Sequence, residues 1–188
     1  MYGVRTFAEW GARLAVSTGE VNLKLYLVRH ADAEVEPAEG MGDEGRSLTS
    51  KARAAALAHF GALSEHMAGL HVVLASPLVR TVQTAQLLSL ALRHDGPLRV
   101  HRSLQPEMPV GKLDVLLSDV AGETSLALVG HQPVMGAFAA HLLGLPTFPR
   151  PVQPGTVVGL DLSAGISPGQ AKLLFYAPVG QPVQETVG

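Results

Sequence analysis

A chain of 188 residues with 47% hydrophobic content can build one sizeable core but is too short for two ordinary domains, so one compact domain is expected. The formal charge of -2 lacks the basic excess that nucleic acid or an anionic membrane would call for, and the absence of cysteine excludes a thiolate nucleophile, disulfides and Cys-ligated metal. No apolar run approaches the roughly 20 residues of a membrane-spanning helix, and residues 1–20, broken by Arg5, Glu9, Gly11 and Arg13, lack a signal-peptide core, so a cytoplasmic protein is expected.

Residues 1–20 place Val4, Phe7, Trp10 and Leu14 at helix-like spacing and read as an appended extension, with the domain proper over residues 21–178. Leu23 to Val28 is a near-continuous apolar run of the kind buried on both faces of a sheet. Thr49 then caps a helix with Ala52, Ala56, Phe60, Leu63 and Met67 on one stripe. A second buried strand, His71 to Ala75, leads to Ser76 and Pro77, which open a helix carrying Leu78, Val82, Ala85, Leu88 and Leu92. Leu98 to His101 and a Pro-rich loop precede a third buried strand, Thr124 to Val129. Pro133 opens the next helix, striped by Val134, Phe138, Leu142 and Leu145. Val157 to Leu162 and Ala171 to Tyr176, separated by the turn-forming Ser163 to Gly169, are expected to pair as a hairpin at a sheet edge. Residues 179–188 read as a flexible tail. The alternation predicts an α/β three-layer sandwich, with a central, mostly parallel sheet flanked by helices.

Each buried strand runs into polar side chains at its C-terminal end: Arg29-His30 after the first, Ser76 followed by Arg80 after the second, Gly130-His131 after the third. Open α/β sheets bind ligands beyond those ends, where helix N-termini also point. Taken singly, Arg29-His30 is an ordinary solvated corner, Ser76 a helix cap and Gly130-His131 a tight turn. Their coincidence instead describes an anion site, with phosphate as the leading ligand. Ser76 lacks the G-x-S-x-G surroundings of a hydrolase nucleophile, no glycine-rich nucleotide loop is present, and the eight histidines show no metal-ligand spacing. No metal or other cofactor is expected.

The run Leu25-Tyr26-Leu27-Val28-Arg29-His30-Ala31-Asp32-Ala33-Glu34 resembles the signature opening of the histidine phosphatase superfamily, whose fold is phosphoglycerate mutase-like, and is most similar to its SixA-type phosphohistidine phosphatase branch. Arg46-Ser47-Leu48-Thr49, Ser76-Pro77-Leu78-Val79-Arg80-Thr81-Val82-Gln83-Thr84-Ala85 and Val129-Gly130-His131-Gln132-Pro133 extend the likeness in the same order. The resemblance implies that His30 is the phosphorylated nucleophile and that Arg29, Arg80 and His131 hold the phosphoryl group. Two guanidinium neighbours would disfavour imidazolium and keep His30 unprotonated, while attracting the phosphate dianion.

For ester substrates the same resemblance implies a carboxylic acid that protonates the departing oxygen, and no single residue stands out. Glu107, on the Pro-rich loop, and Asp43, just before Arg46, are the candidates. An imidazole protonated on its other nitrogen can depart neutral, so a site without a dedicated acid favours a P–N bond. Protein phosphohistidine is therefore the expected substrate. A small phosphomonoester or sugar phosphate, a phosphomutase reaction and a non-catalytic phosphopeptide-binding module are the alternatives. The expected partner is a phosphorylated protein or small molecule, with no nucleic acid or membrane.

Overall fold

The computed structural model describes residues 23–118 and 122–187, so the expected N-terminal extension lies outside the described residues. In chain order the elements are β1 (Lys24–Arg29), α1 (Ser50–Ala62), β2 (Val72–Ala75), α2 (Val79–Leu92), β3 (Leu98–Val100), α3 (Leu113–Ser118), β4 (Ser125–Gly130), α4 (Val134–Leu143), β5 (Val157–Asp161) and β6 (Lys172–Ala177). The sheet has six strands in the order β3-β2-β4-β1-β5-β6. β1 pairs with β4, β4 with β2 and β2 with β3 in parallel, while β5 and β6 add an antiparallel hairpin at the edge. This is the expected mostly parallel, helix-flanked sandwich.

The period of two along the strands makes the layers. On β1, Leu25 and Leu27 join a core with Phe138, Leu142, Leu116 and Leu117 from α4 and α3, while Tyr26 and Val28 join Ala52, Ala56, Phe60, Ala85 and Leu88 from α1 and α2. Phe60 and Phe138 are fully buried on opposite faces, and truncating either to alanine is expected to cost about 3–5 kcal/mol. Among the described residues no helix is long and apolar enough to cross a membrane.

Three local expectations are corrected. Thr49 does cap α1, accepting a 3.0 Å bond from the Ala52 N–H, but Ser76 caps nothing. α2 begins at Val79 from an extended Leu78 that makes no side-chain cap bond. The Ser76 hydroxyl is engaged by His131 instead. α4 ends at Leu143, because Gly144 takes the left-handed conformation (φ 69°), and Leu145 falls outside the stripe and is 38% exposed. Finally, residues 179–187 fold back on the edge strand: Gln184 exchanges both backbone hydrogen bonds with Tyr176, and Val183 packs against the core.

Candidate active site

Parallel register places the polar strand ends side by side. Arg29 lies opposite Gly130 on β1 and β4, and Ala75 lies opposite Val129 on β2 and β4. His30, His131 and Ser76 are each the next residue along, so the three emerge together at one edge. Neighbouring strands are about 4.8 Å apart, and the His30 and His131 ring centroids are 5.1 Å apart, edge to face at 61°. His131 is buried and its Nε2 lies 2.9 Å from the equally buried Ser76 Oγ.

The His30 tautomer follows from one contact. Nδ1 lies 2.7 Å from the Ala31 carbonyl oxygen, which can only accept, so Nδ1 carries the proton and Nε2 keeps its lone pair. Burial, reinforced by the Arg80, Arg29 and Arg46 charges and only partly opposed by the Ala31 bond, pushes the His30 pKa down to about 4. Burial, with His30, Arg80 and Arg29 adding to it, pushes His131 down to about 3. Both rings are neutral at physiological pH.

The two arginines reach the site from different elements. Arg29 ends β1 and donates from Nη1 to the Val152 carbonyl at 2.9 Å. Arg80, in the first turn of α2, is 5% exposed and donates from Nη1 to the Asp43 carbonyl and from Nη2 to Asp43 Oδ2, each at 2.9 Å. The Nε atoms of both arginines are buried without a hydrogen-bond partner. Thr84 ties these parts together. Its Oγ1 accepts from the Ala31 N–H at 3.0 Å and donates to the Arg80 carbonyl at 2.7 Å, locking the end of β1 to the start of α2.

The acid candidates are placed differently. Asp43 opens a 3-10 turn and stands between Arg46 Nη1, at 3.0 Å, and Arg80 Nη2. The Arg46 and Arg80 bonds hold its carboxyl below the usual carboxylate range. Glu107 is exposed and lines a cavity of about 450 Å³ with Asp43, Glu44, Leu78, Gln105, Pro106 and Met108. A second concavity of about 510 Å³ follows α4 past Gln132, Ala137 and His141 to Arg150 and Val152, touching the Arg29 support rather than His30 or His131. Among the described residues no three His, Asp or Glu side chains gather closely enough to hold a metal ion.

The sequence reading missed the supports of the site. Thr84 is one helical turn from Arg80, a spacing that could have flagged it. The 151–155 loop, Pro-Val-Gln-Pro-Gly, carries no chemistry-bearing side chain, yet the Gly155 N–H donates to the Arg29 and His30 carbonyls at 3.1 Å each, and Gly155 has φ +81°. Nothing in the sequence aims that loop at β1, because the approach depends on β5 pairing antiparallel to it.

Residues 25–121 match the model of the histidine phosphatase superfamily (branch 1). An uncharacterized protein of Picosynechococcus is 34% identical over 121 residues, covering 62% of this chain and 71% of that one. Among solved structures, the protein histidine phosphatase SixA complexed with tungstate superposes with a TM-score of 0.71 at 22% identity, over 82% of this chain and 96% of its own. A protein described as phosphohistidine phosphatase SixA of Nakamurella multipartitia gives 0.66 at 24% identity, over 88% and 97%. A phosphoserine phosphatase of Entamoeba histolytica, bound to phosphoserine, gives 0.60 at 15% identity, over 82% and 96%. Those likenesses establish the phosphoglycerate mutase-like fold, and with the family match over residues 25–121 the chain belongs to the histidine phosphatase superfamily, branch 1, as a phosphatase.

Proposed function

We propose that this phosphatase removes the phosphoryl group from protein phosphohistidine through a covalent intermediate on His30. The observation that carries the reading is the 2.7 Å contact between His30 Nδ1 and the Ala31 carbonyl, which leaves Nε2 as the unprotonated nitrogen. In the first step Nε2 attacks phosphorus and the substrate P–N bond breaks. The departing imidazole, protonated on its other nitrogen by solvent, leaves neutral. His30 then carries phosphorus on Nε2 and a proton on Nδ1, a phosphoimidazolium whose positive charge the Ala31 carbonyl stabilises. Water attacks that phosphorus, phosphate leaves, and His30 returns to its neutral tautomer without needing an acid.

Arg29 and Arg80 neutralise the equatorial oxygens as charge spreads over them, and His131 contributes a further polar contact held in place by Ser76. The unsettled acid also supports a P–N substrate: Asp43 is held ionised by two arginines, a poor starting state for a proton donor. The test is rapid acid-free quenching with labelled phosphohistidine peptide, beside phosphoserine peptide and a sugar phosphate. Wild type is expected to accumulate an acid-labile, base-stable label, to turn over the phosphohistidine peptide fastest, and to lose both label and turnover in His30→Ala. Equal hydrolysis by wild type and His30→Ala would sink the proposal.

A further inference from the structure

The cavity beside the phosphoryl clamp has a definite chemistry. Its lining contributes the carboxylates of Asp43, Glu44 and Glu107, the apolar side chains of Leu78, Pro106 and Met108, and no cationic side chain. Asp43 is neutralised by Arg80 and Arg46, and it couples the cavity directly to the clamp. Glu44 and Glu107 are exposed and form no ion pair among the described residues. The chain leading to this wall, residues 31–45, adds Asp32, Glu34, Glu36 and Glu39 without one lysine or arginine. The result is a sharp charge gradient: two guanidinium groups with the histidines, then uncompensated negative charge on one side.

A substrate held by its phosphoryl group extends its remaining atoms away from the arginines. An anionic leaving portion directed along this wall would meet like charge, whereas a cationic one gains from both carboxylates. An apolar floor suits the aliphatic stem of a long basic side chain, whose head then reaches the carboxylates at the rim. We propose that the Glu44–Glu107 wall selects polypeptide substrates with a lysine or arginine close to the phosphorylated residue. The inference rests on the polypeptide-phosphatase reading above and adds which segment is preferred.

Matched peptides that differ only in one neighbouring residue, lysine, alanine or glutamate, test this in both phosphohistidine and phosphoserine series. At low salt the lysine peptide is expected to exceed the alanine peptide by roughly fivefold in kcat/KM, the scale of two exposed charge contacts, chiefly through KM, with the glutamate peptide below both. The preference should shrink as salt rises toward 0.5 M and vanish in a Glu44→Gln/Glu107→Gln variant. Each enzyme is its own control, because the lysine-to-alanine ratio cancels any change in the chemical step. A ratio near one in wild type overturns the inference, as does a ratio that persists in the variant. Turnover of the phosphoserine series alone would overturn the phosphohistidine reading while leaving the charge preference to be read on that series. Failure to turn over any peptide while small phosphomonoesters are hydrolysed overturns both.

Discussion

Arg80 grips Asp43 twice, Nη1 on its carbonyl and Nη2 on its carboxylate, both at 2.9 Å. The carboxylate therefore occupies a donor that a phosphoryl oxygen would otherwise take, and substrate and Asp43 compete for the same guanidinium. Asp43→Asn removes the charge while keeping the shape. Inorganic phosphate and tungstate are expected to bind the variant several-fold more tightly, measured by calorimetry or as inhibition constants. A general-acid role makes the opposite prediction: turnover of phosphoserine peptide would fall roughly 100-fold with anion affinity unchanged.

Ser76 and His131 form the buried contact that replaces the helix cap read from the sequence. Ser76→Ala leaves the His131 ring nitrogen without its partner in a region closed to water. The expected cost is about 1–3 kcal/mol of stability, seen as a lowered Tm, together with a fall in kcat as His131 loses its fixed orientation. Ser76→Thr, which keeps a hydroxyl, should recover kcat more than Tm.

What could be read from the sequence was whatever depended on local pattern. β1, β2 and β4 are apolar on both faces because helices cover both faces, so their runs end where the sheet ends, and the polar residues at those ends emerge side by side. What could not be read depended on partners distant in the chain. Ser76 followed by Pro77 has the form of a helix start, and only the arrival of His131 from β4 reassigns its hydroxyl. The same holds for Arg80, whose place in a clamp was expected but whose pairing with Asp43 was not. The tail from residue 179 reads as flexible because it is a chain terminus, yet Gln184 finds the free edge of β6 at Tyr176, a pairing set by sheet order rather than by sequence.

Burial sets the pH behaviour. With His30 at about 4 and an unfolded value near 6.5, Nε2 stays unprotonated from pH 8 to about pH 5, and phosphoenzyme formation should fall below that pH as Nε2 takes up a proton. Stability shares the sign. Between pH 6.5 and 4 the unfolded chain binds protons on His30 and His131 that the folded chain refuses, so unfolding free energy falls as pH falls through that window and is fully present above it. The contribution is on the order of 3 kcal/mol for each histidine. Denaturant titrations at intervals across this range should show a smaller loss in His131→Gln than in wild type. An equal loss in both would remove His131 from the account.

Gly155 links the sheet edge to the site. Its N–H reaches the Arg29 and His30 carbonyls, its φ is +81°, and a Cβ there would lie 2.6 Å from Val179 Cγ2. An L side chain must therefore be accommodated both in a conformation it rarely adopts, at about 1–2 kcal/mol, and against a neighbour that has to move. Either adjustment draws the 151–155 loop away from β1, and with it the Val152 carbonyl that steadies Arg29. Gly155→Ala is expected to lower Tm and, because Arg29 is freed to swing, to raise KM for phosphorylated substrate more than it lowers kcat. Adding Val179→Ala relieves the contact but not the dihedral strain, so the double variant should regain part of the lost Tm. If KM is unmoved while Tm falls, the loop supports the fold without steadying Arg29.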